Sequence, residues 1–388
     1  ELKPLGLNVS ESRYELFRNR LAIVPEYENH VLGCVTESGR RSALKYARSY
    51  ATHADSLSSR ITQQWMSLEA AASRLPVVHC GSIGGDDLRR DFVIECATAD
   101  EFLVEFVRQH EDEHYRERVA HLAWRAVHSR HTFAHRLRTI CAKLGLRHDW
   151  VEFPKASLIT PTYRKDMLRR CLKTYEQIAY PNKELVLVFN GNELPAWSDL
   201  GLKGPRNDVI VAHVPGDLFA GATLNMGHLH ASGAYCFRID DDDRYAPNYI
   251  LDLILHARSI DAELFGKPSA PLLFEGANAV HVKNDTTPLV VVPLATLQTG
   301  KTWIGGNSIS GSHAFFARHG YSAFSYGPAD TDLVLNLPPE TPAVIALMDG
   351  FNMAAERRKD LSSHTWKNTA QKLKANRHAL ANFSELVV

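Results

Sequence analysis

The sequence predicts an α/β fold: a mainly parallel sheet covered by helices from about Val151 onward, preceded by a mostly helical α/β appendage over residues 1–150. Two observations carry that prediction. Beyond Val151, short strands alternate with helical segments, and the strands are apolar on both faces, as strands covered on both sides by helices must be. Before Val151, helical spacing dominates and only a few β-branched runs interrupt it.

The totals set limits on function. At 388 residues the chain exceeds one ordinary domain. Its 44 basic and 44 acidic residues cancel, which argues against a nucleic-acid binder that relies on bulk positive charge. No apolar run approaches a membrane span, and the start lacks the basic-then-apolar plan of a signal peptide. The chain opens on Glu1 rather than Met, as a piece of a longer protein would. Cys34, Cys80, Cys96, Cys141, Cys171 and Cys236 form no C-x-x-C pair, so reduced thiols in a cytoplasmic protein are expected rather than a disulfide scaffold or zinc ribbon.

In the appendage, Gln63 to Arg74 has helical composition and Leu75-Pro-Val-Val-His-Cys-Gly-Ser is a β-branched run closing on glycine. Phe92-Val-Ile-Glu-Cys is a second run, and Thr98-Ala-Asp-Glu is a capping-box pattern opening a long helical stretch that stops at Gly145. His114, His121, His128 and His135 recur every seven residues, which reads as a polar border beside an apolar seam, since no ligand set completes a metal site. After Val151 come the strand Ser157-Leu-Ile-Thr-Pro-Thr and a helix over Met167–Ile178. The strand Glu184-Leu-Val-Leu-Val-Phe-Asn-Gly, the strand from Asp208 to Val214, a helix around Ala222–Ala231 and the strand Ala234–Ile239 come next. Ligands of such sheets bind outside the carboxyl ends of the strands. Attention therefore falls on Thr160-Pro-Thr, on Asn190-Gly and on the residues just beyond Ile239.

Beyond Ile239 stands Asp240-Asp-Asp-Asp-Arg-Tyr-Ala-Pro. Four adjacent carboxylates repel one another unless a cation or hydrogen-bond donors offset them. An arbitrary acidic cluster is usually a solvated turn. At the carboxyl end of a strand in a parallel pattern, a hard cation held with substrate phosphates is the chemically sensible alternative. An EF-hand loop is excluded, because Tyr245 and Leu251 stand at its glycine and glutamate positions.

From Gly221 to Pro247 the sequence resembles the core signature of the inverting GT-A nucleotide-sugar glycosyltransferases (family 2-like). It has an Asn-x-Gly helix at Asn225, an Ala-x-Gly turn, a strand, a D-x-D motif and a proline four residues later. The resemblance implies a Rossmann-like GT-A domain over 151–388, ending in a C-terminal helical tail. It implies that Asp240 faces the nucleotide's ribose beside Asp241, and that Asp242 binds Mn²⁺ (or Mg²⁺) on the diphosphate. It also implies that Thr160, Pro161, Thr162, Arg164, Asn190 and Asn225 contact the nucleotide sugar. Leu224 departs from the arginine that many members carry. Gly305-Gly-Asn-Ser resembles the acceptor-side segment, with Gly306 in it. Ala329-Asp-Thr-Asp-Leu resembles the Glu-Asp-x-x-Leu motif, which makes Asp330 the general base, with Asp332 as substitute because Ala329 replaces the usual Glu. Trp303 and His313 are acceptor-pocket candidates or core residues, and His364 is either an additional metal ligand or a helix-start histidine.

Two appendage stretches, Trp65–Val78 and Ser129–Leu137, resemble the C-terminal end of GT-B, spore-maturation-like glycosyltransferases. Too short for a complete enzyme of that type, the segment is expected to be a non-catalytic remnant, and Glu69 would be its ribose contact otherwise. The expected function is metal-dependent, inverting transfer of a sugar from a UDP-linked donor to a glycan or lipid-linked glycan, such as a bacterial capsule, O-antigen or wall polymer. Peripheral association with the inner membrane face or with a complex is compatible with that function, and nucleic acid is not an expected partner. The rivals are an inactive carbohydrate-binding scaffold and a nucleotidyl- or phosphotransferase. The second would want a lysine-rich glycine loop, which Ser157–Arg164 lacks.

Overall fold

The computed structural model describes residues 37–53, 60–268, 270–283, 290–300, 303–324, 328–341, 344–347, 349–358 and 377–388. The chain divides into two compact units, Glu1–Trp150 and Val151–Val388.

The first unit contains α1 (Glu37–Leu44), β1 (Tyr50–His53), α2 (Arg60–Ala72), β2 (Val77–Cys80), β3 (Val93–Cys96), α3 (Ala99–Glu111), α4 (Glu113–Arg130) and α5 (Phe133–Leu144). Its three strands form a parallel sheet in the order β1-β2-β3. Buried Ala70 and Ala71 of α2 and Ala123 and Ala126 of α4 share one core with Leu75, Val77 and Phe92; small residues permit this close helix packing. The capping pattern forms: Thr98 Oγ1 accepts from Glu101 N at 3.2 Å, and Glu101 Oε2 accepts from Ala97 N at 2.8 Å.

The histidine stripe needs correction. The helix ends at Arg130 and a new one starts at Phe133, so His135 leaves the series, and His121 is buried rather than a border residue. His121 and His128 flank the Trp124 ring at 5.4 and 4.8 Å, and burial lowers the pKa of His128. Glu69 is engaged by Arg40 and by the Trp65 indole N–H.

The second unit is built on β4 (Ala156–Thr162), α6 (Leu168–Gln177), β5 (Lys183–Asn190), β6 (Val209–Val214), α7 (Ala220–His230) and β7 (Tyr235–Arg238). Then follow β8 (Arg244–Tyr245), α8 (Tyr249–Ile260), β9 (Leu264–Gly266), β10 (Leu272–Phe274), β11 (Val280–Lys283), β12 (Val290–Val292) and α9 (Leu294–Gln298). The last elements are β13 (Ser310–Ser312), α10 (His313–Arg318), α11 (Ala329–Leu335), β14 (Ile345–Leu347), β15 (Met353–Arg357) and β16 (Arg377–Leu380). An eight-stranded sheet has the order β12-β14-β9-β13-β7-β4-β5-β6, and a five-stranded one the order β16-β11-β10-β15-β8. In the first, β7, β4, β5 and β6 run parallel, while β13 enters antiparallel between β7 and β9. The architecture is therefore mixed α/β with a mainly parallel central sheet. One face packs on α6 and α8 through Leu168, Leu172, Tyr249 and Leu253; the other packs on α7, α10 and α11 through Leu224, Phe315, Phe316 and Leu333.

Two details explain sequence features. Gly227 is the glycine of the Asn-x-Gly helix because a Cβ there would lie 2.3 Å from Ile159 Cγ2 on β4. At the amino edge of the sheet, buried Glu184 accepts from Ser157 Oγ at 2.6 Å, from the Ser232 backbone N at 2.6 Å, and from Lys155 Nζ. Burial alone would raise the Glu184 carboxyl; Lys155 and the serine donors outweigh it and hold it below the usual carboxylate range.

Gly227→Ala should therefore overpack the α7–β4 contact and destabilise the protein by about 1–3 kcal/mol, read as a lower urea midpoint with an unchanged slope. Glu184→Gln should cost about 1–3 kcal/mol at pH 7, because donors built for a carboxylate lose their partner. Since the folded-state pKa of Glu184 is depressed, its contribution is complete above the unfolded carboxyl range and disappears as pH falls through the folded value. Unfolding of both proteins at pH 7 and pH 3 should show the gap closing at the lower pH.

Candidate active site

The order β7-β4-β5-β6 makes the gap between β7 and β4 the point where the chain reverses direction across the sheet, the position where open α/β sheets bind ligands. The segments leaving these two strands meet there. Thr162 Oγ1 donates to Asp241 Oδ2 at 2.5 Å and accepts from Arg164 N at 3.1 Å. The Arg164 guanidinium binds both Asp241 oxygens, through Nε at 3.0 Å and through Nη2, and reaches Asp242 Oδ2 at 2.8 Å. Burial raises the pKa of Asp241 against the opposing pull of Arg164 and Thr162.

Two further arginines hold the acidic loop. Arg238, one residue before Ile239 on β7, grips Asp240 in a two-pronged pair at 2.7 and 3.1 Å. Arg170 of α6 donates to the Asp242 and Asp243 carbonyls at 2.7 and 3.3 Å and pairs with Glu356 of β15 at 2.9 Å. Asp243 is buried; it accepts from Asn307 Nδ2 and from Glu356 N at 3.0 Å. Burial, with repulsion from Asp240 and Asp242, pushes its pKa up to about 8. Tyr245 closes the loop, accepting from Asp240 N at 2.9 Å and donating to the Asn307 carbonyl at 3.0 Å.

Asn307 joins this loop to Asp330. Gly306 and Asn307 sit in one 3-10 turn, and Asp330, near the start of α11, packs so tightly on Gly306 that a Cβ there would lie 2.6 Å from Asp330 Oδ2. Asp330 also lies within electrostatic reach of Arg238 and of buried Tyr321. The Tyr321 segment is fixed by Asn225 of α7, whose amide donates to the Tyr321 carbonyl and accepts from its N–H, both at 2.8 Å.

The structure thus brings Thr162, Arg164, Asp240, Asp241, Asp242, Gly306 and Asp330 together. Pro161 lies with Thr162 at the end of β4, whereas Thr160 is buried within the strand, its Oγ1 unpartnered among the described residues. Asn190 is committed to the turn before α7, donating to the Leu218 carbonyl at 2.8 Å and to Thr223 Oγ1 at 3.3 Å. Trp303 packs partly buried against the α7 side of the core.

Two expectations are corrected. His313 is not at this end of the sheet: β13 runs antiparallel to β7, so its backbone N–H meets the Ala234 carbonyl, at the amino edge opposite Asp240. Asp332 lies two helical positions after Asp330, about 200° around the axis, so the two carboxylates face apart; Asp332 Oδ2 is buried without a partner among the described residues. His364 lies outside the described residues.

Sequence reasoning missed Arg238, Arg170, Asn307, Tyr321 and Glu356. Only Arg238 carried a local signal, a lone guanidinium inside the apolar run Ala234–Ile239 beside the acidic cluster.

For a divalent cation, the donor set fits. Asp240 and Asp242 offer hard carboxylate oxygens at the end of β7, while Asp243 is buried and engaged by Asn307 and the Glu356 backbone.

Comparison with known proteins bears on the same segment. Residues 157–266, from β4 through β9, match the model of the family described as Glycosyl transferase family 2. No curated protein sequence matches the chain. Among solved structures, S. aureus TarS 1–349 is similar at a TM-score of 0.39 and 15% identity, over 52% of this chain and 60% of that one. The same TarS fragment in complex with UDP-GlcNAc gives a TM-score of 0.41 and 15% identity, over 55% and 62%. Its complex with UDP gives 0.39 and 13%, over 52% and 60%. The similarity thus spans about 60% of the length of these solved chains. The stretch that forms the acidic loop and its supporting strands thus matches a family of glycosyltransferase enzymes, over residues 157–266 of the chain.

Proposed function

We propose that the chain transfers a sugar from a nucleotide-sugar donor, UDP-linked, to a glycan or lipid-linked glycan acceptor such as a bacterial capsule, O-antigen or wall polymer, inverting the anomeric centre. The observation that carries the proposal is the arginine-held acidic loop at the reversal point of the sheet, linked through the Gly306–Asn307 turn to Asp330.

Transfer breaks the bond between the anomeric carbon and the diphosphate oxygen and forms a bond from an acceptor hydroxyl to the same carbon. Asp330 takes the hydroxyl proton, a contribution of roughly 10²–10⁴-fold in rate. Attack from the face opposite the leaving group gives inversion, as one-base water activation does in inverting glycosidases. Asp242 would hold Mn²⁺ or Mg²⁺, with Asp240 and Asp241 facing the donor and His364 a further candidate ligand. The ion supplies charge neutralisation at the departing diphosphate. Arg164, held on Asp241 and Asp242, adds a fixed positive charge beside the same position.

Nucleotide release from a panel of sugar nucleotides, in Mn²⁺ or EDTA, should identify one donor; Asp242→Ala should abolish the release. Metal-independent release, or an unimpaired Asp242→Ala enzyme, would remove Asp242 from the metal role. If neither Mn²⁺ with UDP raises the melting temperature nor any donor turns over with acceptor present, the carbohydrate-binding alternative replaces transfer. Gly306→Ala should displace the Asp330 carboxylate and lower turnover about 10²-fold with little change in donor KM. Unchanged turnover would show that Gly306 does not position the base.

A further inference from the structure

We infer that α5 is a docking helix for the surface of an anionic lipid bilayer. Phe133, Leu137, Ile140 and Leu144 recur at i, i+4, i+7 and i+11, within about 60° of arc, and are 83, 60, 50 and 66% exposed. The helix has no buried residue, although it is capped at Gly145 in the left-handed conformation and so properly terminated. A helix earns its stability from burying an apolar face, and this one leaves that face outward.

Charge selects the occupant. From Phe133 to His148 the chain carries Arg136, Arg138, Lys143 and Arg147 and no carboxylate. Arg136 and Lys143 border the stripe on one side, while Arg138 lies farther round on the other, near the Trp150 ring. An apolar face of Phe, Leu and Ile between basic residues is the pattern of a helix that lies in the headgroup plane, the apolar side chains entering the acyl boundary and the cations meeting lipid phosphates. Twelve residues are too few to cross a bilayer, and among the described residues no helix is long and apolar enough to do so. Helix α3 supplies an internal contrast: it also exposes Leu103, Val104 and Val107, but it carries Asp100, Glu101, Glu105 and Glu111, which an anionic surface repels.

The test is co-sedimentation of the whole chain with phosphatidylglycerol-containing vesicles and with pure phosphatidylcholine vesicles, which requires no donor or acceptor. Binding should favour the anionic vesicles and weaken as salt rises. Phe133→Ser combined with Leu137→Ser should reduce it by roughly tenfold or more for each side chain, and Arg136→Gln with Lys143→Gln by on the order of tenfold. Leu103→Ser with Val104→Ser should leave it unchanged. Circular dichroism and melting temperature confirm that each variant folds, which the exposure of these side chains favours. Failure to bind anionic vesicles, equal binding to both vesicle types, or binding untouched by the α5 substitutions would overturn the inference. So would a concentration-dependent dimer in sedimentation velocity that the Phe133/Leu137 variant abolishes, since the occupant would then be a second copy of the chain.

Discussion

Four consecutive carboxylates at the end of a buried strand pose an electrostatic problem that the surrounding fold is arranged to meet. Two unit charges 4 Å apart interact by about 4 kcal/mol at the effective dielectric of a protein surface, so Asp240 to Asp243 would repel the loop out of shape without counter-charges. The compensation is spread over three elements. Arg238 comes from the same strand, Arg164 from the segment after β4, and Arg170 from α6, which binds carbonyls and so fixes the backbone rather than the side chains. Each grip restricts a different part of the loop. Asp243 is held by Asn307 and the Glu356 backbone with Arg357 within electrostatic reach, and burial raises its pKa.

The same arrangement transmits position beyond the loop. Asn307 touches Asp243 through its side chain and Tyr245 through its carbonyl, while its neighbour Gly306 receives Asp330. On the other side of the sheet, α7 presents Gly227 to β4 and, half a turn earlier, Asn225 to the Tyr321 backbone. The Asn-x-Gly pattern is therefore a two-sided spacer: glycine sets how close the helix sits to the sheet, and asparagine ties it to the segment before α11. That connection gives the motif a mechanical meaning that requires no direct contact with a ligand.

The elements were legible where local physics decided them. Continuous apolar runs gave β4 to β7, and the capping residues gave α3 and the stop of α5. The acidic cluster and Arg164 were legible because strand ends in parallel sheets converge. The contacts that escaped depended on pairing across long sequence distances. Glu356 reaches Asp243 only because β15 pairs with β8, and no spacing rule foretells a partner 113 residues away. His313 was misplaced for a related reason: its segment reads as acceptor-side, but the antiparallel entry of β13 carries it to the opposite edge. Asp332 failed on helix geometry, which a two-residue separation already encodes once Ala329–Leu335 is known to be helical.

The two edges of the central sheet show why one is structural and the other suited to chemistry. At the amino edge, one carboxylate, Glu184, meets one cation, Lys155, and is surrounded by serine and backbone donors; a satisfied network of this kind rigidifies and leaves no charge for a ligand to answer. At the carboxyl edge, the acidic residues Asp240, Asp241, Asp242, Asp243, Asp330 and Glu356 are gathered among Arg164, Arg170, Arg238, Arg244 and Arg357. The two sets of strand ends belong to one sheet, and they differ in how many acidic groups are gathered there. Acidic groups gathered this densely and held by long-range contacts are costly to keep. The chain concentrates them at the reversal point of the sheet, the position where open α/β sheets bind their ligands.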